Sequence, residues 1–151
     1  METLQIKKAD ALKAYNNTDQ KGKTLLSDLF GKELLPAKER IKTVEDALDA
    51  LAINRSEFAA GLRNLTRDEA AYRQLKVVAD ALNEGWQANW TDTNQRKFYP
   101  YFDGGAGFRF RGVYGYYRVS HVSSRLCFKS SELAEYAGRQ FQPFYQVYLN
   151  S

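Results

Sequence analysis

Residues 108–119, FRFRGVYGYYRV, alternate with a period of two, and this one run rules out an all-helical fold. Its even positions are Phe108, Phe110, Gly112, Tyr114, Tyr116 and Arg118, and its odd positions are Arg109, Arg111, Val113, Gly115, Tyr117 and Val119. The expectation is a strand whose even residues through Tyr116 face inward, with Arg109, Arg111 and Tyr117 facing out. A turn over 120–123 leads to a second strand over 125–129. Pro100 interrupts 98–102, because proline cannot donate to a ladder, so that segment reads as an edge strand or irregular chain.

Before and after this sheet the pattern is helical. Short helices are expected over 8–15, behind a Thr18 cap as far as Phe30 with Gly31 as the stop, over 44–52 behind a Thr43 cap, and over 57–65 behind Ser56. Such short helices are unstable alone and must pack on something to persist. The clearest helix starts at Thr66-Arg67-Asp68-Glu69, a capping box in which side chains at both ends satisfy orphan amides. It continues through Tyr72, Leu75, Val78, Ala79 and Leu82, spaced three and four apart, and stops at Gly85. This long helix is expected to be the platform for the aromatic sheet. Thr91 is read as capping one helical turn over 92–97. Ser130 or Ser131 caps a C-terminal helix that Pro143 should kink or split.

The fold class that follows is α+β: several short helices and one long central helix packed on a small antiparallel sheet, closed by the C-terminal helix. A single domain over 1–151 is expected, with a helical part, 1–65, and an aromatic-rich α+β part, 66–151. The strands could also complete a sheet across a homo-oligomer.

Residues 98–129 hold ten of the chain's aromatics, five of its glycines, its one histidine and its one cysteine. Five cations there (Arg109, Arg111, Arg118, Arg125, Lys129) face one carboxylate, Asp103, a surplus equal to the whole chain's formal net charge of +4. A basic, aromatic, glycine-interrupted surface suits an anionic partner with flat rings. A base stacked on such a ring gains roughly 1–3 kcal/mol, and arginine offers a planar fork to phosphate oxygens. The candidate ligand-binding residues are Trp86, Trp90, Tyr99, Tyr101, Arg109, Arg111, Tyr117, Arg118, His121 and Arg125. The competing reading is that the aromatic face is core and the arginines keep a strand edge soluble.

Other chemistry is disfavoured. Gly22-Lys23-Thr24 ends like a phosphate-binding loop, but Asn17 stands where that loop needs a glycine and no apolar strand precedes it. Gly104–Gly107 is no dinucleotide fingerprint, since Phe110 takes the place of the third glycine. One cysteine and one histidine cannot assemble a zinc site of the usual kind within one chain, and the lone cysteine fits a reducing compartment. His121 has serines nearby but no triad pattern, and the acidic residues are spaced as on solvated helix faces. The expectation is a protein that is not an enzyme and needs no cofactor or metal. No stretch approaches the roughly 18 apolar residues that span a bilayer, and the N-terminus lacks a signal-peptide pattern. A soluble, cytoplasmic protein without a membrane partner is expected.

At ALNEGWQANWTDTNQRKFYPYF and SRLCFKSSELAEYAGRQF the chain resembles a group of short proteins carried by gut bacteria, their prophages and phages. The shared order is a tryptophan-flanked turn, an aromatic–proline–aromatic segment, a variable glycine and aromatic insert, a leucine–cysteine strand and a helix. The resemblance covers residues 66–142 and implies a phage or mobile-element origin, hence the cytoplasm of a host cell. No activity is attached to the group, so it transfers no functional residue, and Arg109 and Arg111 fall in its variable insert.

Three functions are open at this point. The first is a non-catalytic binder of an anionic nucleotide-type ligand, in a phage setting a sponge for a cyclic nucleotide signal of host defence. The second is a virion-associated or structural interaction module, since Tyr, Trp and Arg are also enriched at protein interfaces. The third is binding of single-stranded nucleic acid along a longer groove.

Overall fold

The computed structural model describes residues 2–31, 34–105, 107–118 and 124–150, and among these the fold is α+β, with eight α-helices and one two-stranded antiparallel sheet. The chain forms two compact units, Met1–Arg40 and Ile41–Ser151. The turn expected over 120–123, and with it His121, lies outside the described residues.

In the first unit α1 (Lys8–Asn17) and α2 (Gln20–Phe30) pack on each other, and the polar run after Pro36 forms a short helix, α3 (Ala37–Arg40). The cap of α2 is Asp19 and not Thr18: its carboxylate accepts the Gly22 N–H at 2.9 Å. On α2 Leu25 and Leu29 remain exposed.

The second unit begins with α4 (Val44–Ala50). Here Thr43 and Asp46 form a reciprocal capping box, in which Asp46 N–H donates to Thr43 Oγ1 at 3.1 Å and Thr43 N–H donates to Asp46 Oδ2 at 3.0 Å. α5 (Arg55–Leu62) is capped by Asn54 rather than Ser56, through the Glu57 N–H at 3.0 Å. The long helix is α6 (Arg67–Asn83), and the Glu69 carboxylate accepts the Thr66 N–H at 2.9 Å as its sequence requires. Its apolar side, with Ala71, Leu75, Val78 and Leu82 buried, is covered by α4, α7 (Ser131–Gln140) and α8 (Gln142–Asn150). Ser130 caps α7 by accepting the Leu133 N–H. Pro143 sits in the first turn of α8, where its missing N–H costs nothing, and the helix pair breaks just before it at Phe141.

The sheet departs from the sequence expectation in its pairing. β1 (Lys97–Asp103) runs antiparallel to β2 (Arg109–Tyr116), so the segment containing Pro100 is the partner strand. No helical turn forms over 92–97. Asx turns replace it, with Asn94 N–H donating to Asp92 Oδ1 at 2.8 Å and Thr91 N–H to Asn89 Oδ1 at 3.0 Å. Residues 125–129 are not a strand either. Ser124–Leu126 is a 3₁₀ turn, and Phe128 alone bridges to Phe98 through a reciprocal pair of backbone bonds. Those bonds explain why Pro100 is tolerated: two residues on from Phe98, its nitrogen faces the same outer edge, away from β2.

A β-bulge sets the faces. Tyr101 pairs with Gly112 but Phe102 pairs with Phe110, which leaves Arg111 as an extra residue. An extra residue inverts the alternation, so the two halves of β2 present their even side chains to opposite faces. Phe108 and Phe110 turn inward, where Phe102 stacks on Phe108 at 4.9 Å and meets Tyr145 at 4.8 Å. Beyond the bulge Tyr114 and Tyr116 turn to the other face, and Tyr114 is half exposed instead of inward. The inner face rests on α7 rather than on α6. Gly138 makes that contact close: a β-carbon there would stand 2.5 Å from Phe110 Cδ2 and 2.8 Å from Pro100 Cβ.

Candidate functional site

Two buried polar residues build the site, and neither stands out in the sequence. Asn83 ends α6 and is almost fully buried. Its Nδ2 donates to Cys127 O at 2.8 Å and its Oδ1 accepts the Lys129 N–H at 3.0 Å, which ties the 124–129 segment to the helix. Lys97 is completely buried, and its three ammonium hydrogens have three backbone acceptors: Asn89 O at 2.7 Å, Asp92 O at 3.2 Å and Tyr117 O at 3.3 Å. The ammonium also lies 5.1 Å from the Trp90 ring centroid. Lys97 therefore holds the 86–96 loop, with its tryptophan, against the end of the sheet.

Between this loop, α6 and the 124–129 segment lies a cleft of about 510 Å³, lined by Lys76, Asp80, Asn83, Trp86, Trp90 and Arg125 among others. Lys76, Asp80 and Asn83 follow one another at four and three residues along α6, so one helix face supplies them all. Desolvation raises the Asp80 carboxyl above its ordinary pKa, and the positive charges of Lys76 and Arg125 oppose that rise. Among the described residues Lys76, Asp80 and Arg125 make no direct hydrogen bond or salt bridge. The cleft thus offers two indoles, two cations and one carboxylate.

The other sequence candidates lie elsewhere. Tyr99 is core: burial, with the Cys127 thiol beside it, pushes its hydroxyl well above the usual range, and burial raises the thiol of the buried Cys127 likewise. Tyr101 stacks on Tyr114, with ring centroids 4.2 Å apart, on the outer face of the sheet. The Tyr101 ring occupies the space over Gly112, where a β-carbon would meet it at 2.8 Å. Tyr117 is exposed and carries the Arg96 guanidinium 5.8 Å from its ring centroid. Arg118 is exposed.

Arg109 and Arg111 both turn to Asp103, at 3.1 Å and 3.4 Å, at the tip of the hairpin. Lys97 pairs with Tyr116 at one end of the sheet and Asp103 with Arg109 at the other. Six residues of strand, about 20 Å, separate these arginines from the tryptophan loop. The ten sequence candidates therefore do not form one surface. Trp86, Trp90 and Arg125 come together; Arg109 and Arg111 form a separate group with Asp103. Lys76 and Asp80, which complete the cleft, look in the sequence like the solvated face of a helix.

Among the described residues no three His, Cys, Asp or Glu side chains gather as a metal site requires, and no helix is long and apolar enough to cross a membrane. Comparison with protein-family models, with curated proteins and with solved structures finds no match to the chain.

Proposed function

We propose that the protein is a non-catalytic binder of a small anionic nucleotide-type ligand, held in the cleft between α6 and the tryptophan loop. One observation carries this reading: Trp86, Trp90, Lys76 and Arg125 line the same cleft, and its two cations are not neutralised by direct salt bridges among the described residues. Its volume of about 510 Å³ falls in the range of small-molecule sites. A base stacks on an indole, and the phosphate meets Lys76 and Arg125. In the phage setting that the resemblance implies, the ligand is a cyclic nucleotide signal of host defence, bound and withheld in the host cytoplasm. Titration of the purified protein with mono-, di- and cyclic nucleotides, followed by tryptophan fluorescence and thermal shift, tests this. Quenching and a raised Tm are expected, both lost in Trp86→Ala and weakened in Arg125→Ala. An unchanged Tm across the whole panel overturns the reading.

The outer face of the sheet favours a second reading, a protein-interaction module. Tyr101 and Tyr114 stack there, and Tyr114 and Tyr117 are each about half exposed. A concentration-dependent oligomer lost in Tyr114→Ala, without any nucleotide response, supports it. Oligonucleotide binding that falls steeply with salt would instead indicate single-stranded nucleic acid.

A further inference from the structure

The cleft contains one group that a purely phosphate-directed site does not need, the Asp80 carboxylate. It stands on the α6 wall one turn beyond Lys76, in the same cleft as both indoles, and among the described residues it has no direct hydrogen-bond or salt-bridge partner. A carboxylate facing a phosphate costs affinity through like-charge repulsion, so its place is beside the base. An ionised carboxylate only accepts hydrogen bonds, through two oxygens side by side. Guanine presents two adjacent donors on its pairing edge, N1–H and the N2 amino group. Adenine presents one donor beside the N1 lone pair, and cytosine one donor beside the N3 lone pair, each of which opposes a carboxylate. Uracil has a single N–H between two carbonyls.

We infer that Asp80 is the specificity-determining residue of the cleft and selects a guanine base, taking N1–H and N2–H in a bidentate pair while an indole stacks on the ring and Lys76 and Arg125 hold the phosphate. The inference rests on the nucleotide reading of the same cleft.

The test is calorimetric titration of the intact protein with GMP, AMP and xanthosine monophosphate. The expected result is GMP preferred over AMP by on the order of tenfold, as for one good bidentate base contact. Asp80→Asn keeps the shape but replaces one acceptor with a donor. That edge matches xanthine, whose C2 carbonyl stands where guanine has its amino group. In the variant the preference should pass from GMP to xanthosine monophosphate, while AMP affinity stays within a fewfold of wild type. A merely structural role for Asp80 would lower all three together. Equal binding of GMP and AMP by the wild type overturns the role of Asp80 and leaves the nucleotide reading standing. Absence of binding by all three nucleotides and by cyclic GMP and cyclic AMP, with the fold intact by circular dichroism, overturns both.

Discussion

The Lys97 ammonium lies 5.1 Å from the centroid of the Trp90 ring while donating to the carbonyls of Asn89, Asp92 and Tyr117. A buried cation without a carboxylate is tolerated because each of its hydrogens has an acceptor. Its acceptors come from the tryptophan loop and the end of β2, so the loop depends on this one side chain. Replacing it leaves three backbone carbonyls without this donor. Lys97→Met should lower unfolding free energy by roughly 1–3 kcal/mol, read from urea denaturation. It should also change Trp90 emission, and no change in either would remove Lys97 from this role.

Gly138 allows the sheet to sit down on α7. A β-carbon would fall within 3 Å of Phe110 and Pro100, neither of which is the free end of a flexible chain. Gly138→Ala should therefore destabilise by about 1–3 kcal/mol through overpacking, although alanine is the better helix former. A gain in Tm would show that the sheet can lift away without loss.

Arg109 and Arg111 share Asp103 at the hairpin tip, with side chains more than half exposed. Exposed pairs of this kind contribute roughly 0–1 kcal/mol. The double substitution Arg109→Ala, Arg111→Ala should leave nucleotide binding within a fewfold of wild type and Tm nearly unchanged. A complete loss of binding would move the site to the hairpin.

Asp46 predicts a pH dependence. The Lys42 N–H, followed by the Thr43 N–H and hydroxyl, holds its carboxyl below the usual value of 3.8. A carboxyl depressed in the folded state contributes stability that is complete above the unfolded value and lost as pH falls through the folded one. Asp46→Asn should therefore be less stable than wild type near neutrality, and the gap in Tm should close between about pH 5 and pH 3. A gap that persists at acid pH would assign the effect to packing.

How much of this was legible from the chain varied by element. α6 was legible because three independent signals agree: the Thr66–Glu69 box, the spacing of Leu75, Val78 and Leu82, and the stop at Gly85. The break at Pro143 was legible for the same kind of local reason. The strand partner was not, since proline counts against pairing unless the direction of its nitrogen is known, and that direction is set by Phe128 from another part of the chain. The bulge at Arg111 was also hidden, because period two continues through it in the letters while the faces exchange. For the site, tryptophans on irregular segments were a usable signal. Lys76, Asp80 and Lys97 were not, because charges spaced along a helix or opening a strand read as solvent-facing.

Gln142 bears on how this hairpin meets other chains. Its side-chain amide accepts the Phe110 N–H at 2.9 Å and donates to Phe108 O at 3.2 Å, mimicking one rung of a neighbouring strand. On the opposite border Pro100 has no hydrogen to offer and Phe128 occupies the position beside it. Both margins of the ribbon are thus stoppered at the points where an incoming backbone would begin to zip. Open-ended growth of the sheet is thereby disfavoured at these points, and contacts made by the exposed side chains of the tyrosine face can be tuned or erased by single substitutions.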